Sequence, residues 1–247
     1  VTTHPPTDTP RLAVAPDARA LGLRHVRGWM LSAAGPPTEP VLGAEEAAGL
    51  LARLPREDSV TGYRKLMAAL GHPGTTPAGE RLRELVAGRE WSGHGGVIDA
   101  VTLASVALGG GIGLHDLTGV PDGSSLLVRR SPGGERIVPA FSSRSRPVPA
   151  GDLTYGLRSP GGEFAPMAWL GKRDTDSAEH QVSAASRRVC VLALGHPDDT
   201  PEHTASAIGA VGEVLGVLGI AAQIREMPET TETPETTETP ETTEIPE

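Results

Sequence analysis

Acid–base chemistry in this chain would fall first to its eight histidines and the acids beside them. His115 is followed directly by Asp116 at the end of a predicted strand, where alternation turns the two side chains to opposite faces. One of the pair entering a cleft would supply proton transfer; the structural alternative is a turn-capping Asp and a half-buried His. Glu179-His180 is a second such pair, suited to general acid/base work or to a solvated turn. His72 and His196 each precede proline in Gly-His-Pro triplets and read as loop residues, and His94 lies in the flexible run Ser-Gly-His-Gly-Gly. The histidines form no evident ligand series. Lone Cys190 excludes a disulfide framework and a multi-cysteine zinc site; in VCVLAL it reads as a small core hydrophobe. Asp99, Thr102 and Ser105 recur every third residue and so share a polar stripe on an otherwise apolar helix. Between Ser124 and Arg173 eight basic residues face three acids, a patch fit to meet phosphate or a set of solvated loops.

The elements that must position these groups are marked by punctuation. Helices are predicted at Ala44–Leu54, stopped by Pro55; at Tyr63–Leu70, ended by Gly71; and at Pro77–Val86, opened by a proline suited to a first turn. Val97–Leu108 is apolar nearly all round and reads as a buried helix, ended by Gly109-Gly110-Gly111, a helix stop rather than a dinucleotide loop. Short β-prone runs follow at Ile112–Leu114, Ser125–Arg129, Arg136–Ala140, Leu153–Leu157 and Val189–Leu194, and Ala205–Ile220 closes the body as a helix. Helices first, strands later and no regular βαβ alternation predict an α+β fold.

Composition bounds the rest. At 247 residues the chain can bury a sizeable core, built from Leu, Val and Ala because aromatics are only 3 %. Its net charge of -9 is mostly an appendage: seven acids and no basic residue lie in Met227–Glu247, a Pro-Glu-Thr repeat, so the remaining body carries about -2. That tail and the Thr/Pro-rich segment 1–10 are expected to be disordered, leaving a globular domain at 11–226. No apolar run reaches the roughly 18 residues of a membrane span, and the first 20 residues lack a signal pattern, so a soluble, cytoplasmic protein is expected. Motifs for nucleotide hydrolysis (GxxxxGK[ST]), zinc proteolysis (HExxH) and α/β-hydrolase chemistry (GxSxG), together with CxxC and EF-hand patterns, are missing from the sequence.

Six short motifs carry more in their order than singly: Tyr63-Arg64-Lys65, Leu70-Gly71, Thr76-Pro77-Ala78-Gly79-Glu80, Val97 to Thr102, Gly113-Leu114-His115-Asp116 and Arg129 to Glu135. Over roughly Tyr63 to Leu194 this order resembles the B3/4 domain, the editing module of the phenylalanyl-tRNA synthetase β subunit, which also occurs free-standing. The resemblance implies a three-layer α+β fold with an unusual β-sandwich flanked by helices, around a cleft that admits an aminoacyl group. It implies hydrolysis of mischarged aminoacyl-tRNA in trans by a positioned water, without a covalent nucleophile, metal or organic cofactor. His115, Asp116 and Glu135 would form the catalytic set, Glu135 matching the family acid that contacts the substrate side chain. Asp99, Thr102 (where the family usually has Asn), Arg129, Arg130 and His180 would bind substrate. The stretch Asp174-Thr175-Asp176-Ser177 to Ser183, then Ser186-Arg187-Arg188, departs from the family by placing serines where threonines are common. Those departures favour an alternative: an enzyme or binding protein of specialised metabolism for an amino-acid-derived small molecule, without tRNA. A non-catalytic module tethered by the acidic tail is a third reading. Aminoacyl-tRNA or such a small molecule are the partners implied, with no membrane, no DNA and no particular oligomeric state.

Overall fold

The computed structural model describes residues 9–88 and 91–230. The chain opens with β1 (Arg11–Val14), α1 (Pro16–Ala20) and β2 (Arg27–Ala33), then four helices: α2 (Ala44–Arg53), α3 (Val60–Ala69), α4 (Ala78–Gly88) and α5 (Gly96–Leu108). Strands follow as β3 (Ile112–Asp116), β4 (Ser125–Arg130), β5 (Arg136–Ile137), β6 (Arg146–Pro147), β7 (Leu153–Arg158), β8 (Phe164–Leu170) and β9 (Thr175–Asp176). A 3₁₀ turn (Ala178–His180), β10 (Val189–Ala193), α6 (Pro201–Val217), β11 (Ala222–Glu226) and β12 (Glu229–Thr230) complete it. The α+β class holds, but its helices do not come first. β1 precedes every helix and β2 precedes α2–α5, and each of the two strands lies inside a sheet.

Apart from a two-stranded β5–β6 ribbon, one sheet runs β12-β1-β4-β7-β8-β9, parallel only where β1 meets β12 and β4; the other runs β11-β2-β10-β3, antiparallel throughout. They face each other across a core that holds Leu126 and Val128 of β4, Leu157 of β7, Met30 of β2, and Cys190 and Leu192 of β10. The other face of the four-stranded sheet carries Trp29, Leu31, Val189, Val191 and Ala193 against Leu50, Leu103 and Val211 of α2, α5 and α6. The layers are therefore sheet, sheet and helices. β10, buried at all five positions, sends alternate side chains into each core because strand side chains alternate in direction.

Local chemistry sets the helix ends. α5 stops at Gly109, whose φ of +71 is the left-handed conformation that glycine adopts without a Cβ clash. Its last carbonyls are met by Arg83 of α4, whose guanidinium donates to Val106 O at 2.7 Å and Ala107 O at 2.9 Å and so holds the two helices together. α6 begins at Thr200, which accepts from His203 N at 3.2 Å, with Pro201 in the first turn.

Most of the two segments expected to be disordered, residues 1–8 and 231–247, lies outside the described residues. Where they are described, the domain is longer than 11–226. Pro10 is buried, Met227 is buried with its N–H on Gly28 O at 2.8 Å, and β12 pairs with Leu12 and Ala13. Burial of the Met227 side chain and the pairing of β12 offset the freedom those few residues lose. Among the described residues no helix is long and apolar enough to cross a membrane.

Candidate functional site

α3, α4 and the edge strand β3 stand opposite β7, β8 and β9 and leave a cavity of about 270 Å³ between them. Met67, Leu82, Leu85, Ile112, Leu170 and Leu194 give it apolar walls; Tyr63, Arg81, Tyr155, Asp174 and Asp176 are its polar groups. The two aspartates are two residues apart at the start of β9, and that spacing puts both carboxylates on one face of an extended chain. Burial raises the Asp174 carboxyl to about 6, against the pull of Arg81 at 3.6 Å, and its Oδ1 is buried with no partner. Asp176 is raised in the same direction by enclosure and by Asp174. Its side chain is nevertheless 60 % exposed toward the cavity, and solvent there moderates the push, so Asp174 is the more perturbed acid.

Behind this pair the wall is neutral. His115 Nε2 and the Tyr155 hydroxyl share a 2.7 Å hydrogen bond, with their rings edge to face. Burial lowers the imidazole to about 3 and raises the phenol, so neither is charged near neutral pH. Tyr63, also raised by burial, donates to Gly111 O at 3.3 Å.

A groove of about 710 Å³ adjoins the cavity. It is lined by Gly71 to Thr76, Lys172, Arg173 and Arg81, and Arg81 borders both spaces. Buried Asp152 fixes the partition between them, accepting from Trp169 Nε1 of the cavity at 2.7 Å and meeting His72 Nε2 of the groove at 2.6 Å. Only the end of the basic stretch read from the sequence reaches this groove. Arg129 is paired with Glu135 and lies over the Phe164 ring, Arg130 donates to Gly151 O at 2.7 Å, and Arg136 bonds Ser145.

None of the eight site residues expected from the sequence lines the cavity. His115 comes nearest, one layer behind it, 1 % exposed and 4.0 Å from Asp176, where it positions Tyr155. Asp116 turns away, as alternation requires, and accepts from Thr118 N and Ser186 Oγ at 2.7 Å each. His180 Nδ1 meets the Asp116 carbonyl at 2.9 Å. Glu135 Oε1 pairs with the Arg129 guanidinium while Glu135 Oε2 and Arg129 Nε are buried without a partner, Arg130 ties down a loop, and Thr102 bonds back to Ile98 O at 2.8 Å within α5. Asp99 is 1 % exposed and accepts from Leu42 N at 3.1 Å and His94 N at 2.7 Å, holding two loops onto the helix. Asp99→Ala leaves two amides without their acceptor and is expected to cost about 3 kcal/mol, read as a lower urea midpoint, with ligand affinity unchanged in the folded fraction.

The groups that do line the cavity escape a search for catalytic motifs. Asp174 and Asp176 stand in the sequence only as part of a departure from a family pattern, although their Asp-x-Asp spacing is a visible sign of two acids on one face. Tyr63 and Arg81 lie on consecutive helices whose packing no local pattern reveals.

Compared with known proteins, the chain matches no family profile and no curated protein. In three dimensions it is similar to an N-terminal fragment of the phenylalanyl-tRNA synthetase beta-subunit from Pyrococcus horikoshii, with a TM-score of 0.46 and 10 % identity. The match covers 91 % of this chain and 53 % of that one, so the chain spans about half the length of the fragment.

Proposed function

We propose that this protein binds an aminoacyl group in the cavity and hydrolyses its ester to tRNA. One observation carries the reading: an acid-lined cavity of aminoacyl size opens beside a basic groove, and Arg81 belongs to both. An aminoacyl ester has an ammonium, an apolar or aromatic side chain and an adjoining chain of phosphates. Asp176 pairs with the ammonium, the Met67–Leu82–Leu170 walls take the side chain, and Arg81, Lys172 and Arg173 meet phosphate. Asp174, whose carboxyl is raised to about 6, is ionised at neutral pH and basic enough to take a proton from water. The water oxygen attacks the ester carbonyl carbon, and the tetrahedral oxyanion is held by outward N–H groups of the edge strand β3. The carbon–oxygen bond to the ribose then breaks, and the proton held by Asp174 passes to the departing hydroxyl. Free amino acid and deacylated tRNA leave.

A second reading, a site for a small amino-acid derivative without tRNA, draws support from the groove having only three cationic side chains while Arg129, Arg130 and Arg136 of the basic stretch are engaged elsewhere. Incubating the full chain with a panel of correctly charged and mischarged tRNAs, and with the matching amino-acid ethyl esters, separates the two. Release of amino acid from at least one tRNA at ten times the buffer rate or more is expected. Turnover of the ethyl esters alone transfers the conclusion to the second reading, and buffer rates on every substrate overturn hydrolysis altogether.

A further inference from the structure

We propose that His196, Asp199 and His203 form a binding site for one divalent transition-metal ion of the zinc type, separate from the cavity chemistry. The sequence reading takes His196 as a loop residue and finds no ligand series. The fold nevertheless gathers one nitrogen of each histidine and a carboxylate oxygen of Asp199 within 4.8 Å of one another. They converge because His196 opens the turn after β10, its carbonyl accepting from Asp199 N at 3.0 Å, Asp199 precedes the Thr200 cap, and His203 lies in the first turn of α6.

Two buried polar atoms here have no partner: Nδ1 of His196, a residue 8 % exposed, and Oδ2 of Asp199, whose side chain is 2 % exposed. Orphaned buried polar atoms are costly, and a cation bound to Asp199 and to the Nδ1 lone pair of His196 offsets that cost. The surroundings leave room for these groups. Any Cβ at Gly62 would strike the His196 ring, and one at Gly195 would crowd Asp199 Oδ2. His203 has the arrangement of a metal-bound imidazole, with Nδ1 against the Glu57 carboxylate and Nε2 directed inward, where it meets Ser59 Oγ at 2.6 Å. Two imidazoles and a carboxylate suit zinc and its neighbours, with water as a fourth ligand. Ligand bonds of about 2.0–2.1 Å need the donors to draw together by roughly an ångström. A space of about 20 Å³ bordered by Asp199 and His203 has the size of one water or ion. Ser59, His203 and Glu57 also have the connectivity of a nucleophile, base and orienting acid, but Ser59 is 0 % exposed and lines none of the cavities described, which leaves it no substrate.

The test is a titration of the full chain, stripped with chelator, with Zn²⁺ in competition with a chromophoric chelator at pH 7.5; Co²⁺ is then used as a spectroscopic probe. One equivalent binding at micromolar affinity or tighter is expected, with visible cobalt bands that vanish in Asp199→Asn. Glu57→Gln keeps all three ligands and is expected to weaken binding 10- to 100-fold, which keeps the proposal testable if the first variant misfolds. Affinity no tighter than millimolar overturns the site, as does unchanged binding in both variants. Neither result bears on ester hydrolysis, which is read from amino-acid release.

Discussion

Asp174→Asn is expected to abolish most hydrolysis, lowering kcat by about 10²–10⁴ while substrate binding holds. The substitution keeps shape and removes only the group that accepts water's proton. In the parent chain kcat follows the ionised acid, falling tenfold per pH unit below about 6 and level above it. In the variant that limb disappears. Stability moves the opposite way. Because the folded-state value lies above the ordinary 3.8, the folded chain holds the proton more tightly than the unfolded one. The native state is therefore penalised above pH 6, and the penalty fades as pH falls toward 3.8. Asn carries no such penalty, so the variant gains up to about 3 kcal/mol at pH 7 over the parent and nothing below pH 4. Denaturant midpoints at both pH values check this. A variant that is slow and also less stable at pH 7 would point instead to a structural role for Asp174, such as holding Arg81.

The second large effect belongs to the groove. Lys172→Glu with Arg173→Glu is expected to weaken tRNA binding 10- to 100-fold at low salt and to lower the slope of log K against log salt by about 1.4 to 2. Amino-acid ethyl esters, which never reach the groove, should be hydrolysed at the parental rate. Gel-shift or anisotropy titrations at several salt concentrations give the slope. Equal affinity and slope for parent and variant would remove phosphate from this surface.

Much of the helical framework is legible in the sequence because each helix carries its own stops. Pro55, Gly71 and Gly109 mark where α2, α3 and α5 finish, and those ends lie within a few residues of expectation. The missing strands have physical reasons. β2 is interior to its sheet and feeds both cores, so its run RGWMLSA shows no alternation of apolar and polar residues. β8 has Pro166 in its middle, which argues against a strand; the proline fits because the β7–β8 register shifts at Tyr155/Gly156, where the ladder is irregular. The site was harder to read. Asp99, Glu135 and Arg129 stand out in the sequence as charged residues in apolar or arginine-rich surroundings, yet both Asp99 oxygens are taken up by loop amides and Glu135 and Arg129 are paired with each other away from the cavity. Chemical type is visible in one dimension, but the question of which carboxylate stays unpaired is decided by packing.

The buried strand β10 has a consequence for how the molecule comes apart. Its two faces belong to different cores, so neither core keeps a complete wall once that strand leaves. Sliding it by one residue would exchange every contact on both sides at once. The sandwich and its helical cover are thus halves of one lock: they melt as a single cooperative unit, and an insertion within Val189–Ala193 has no loop to absorb it.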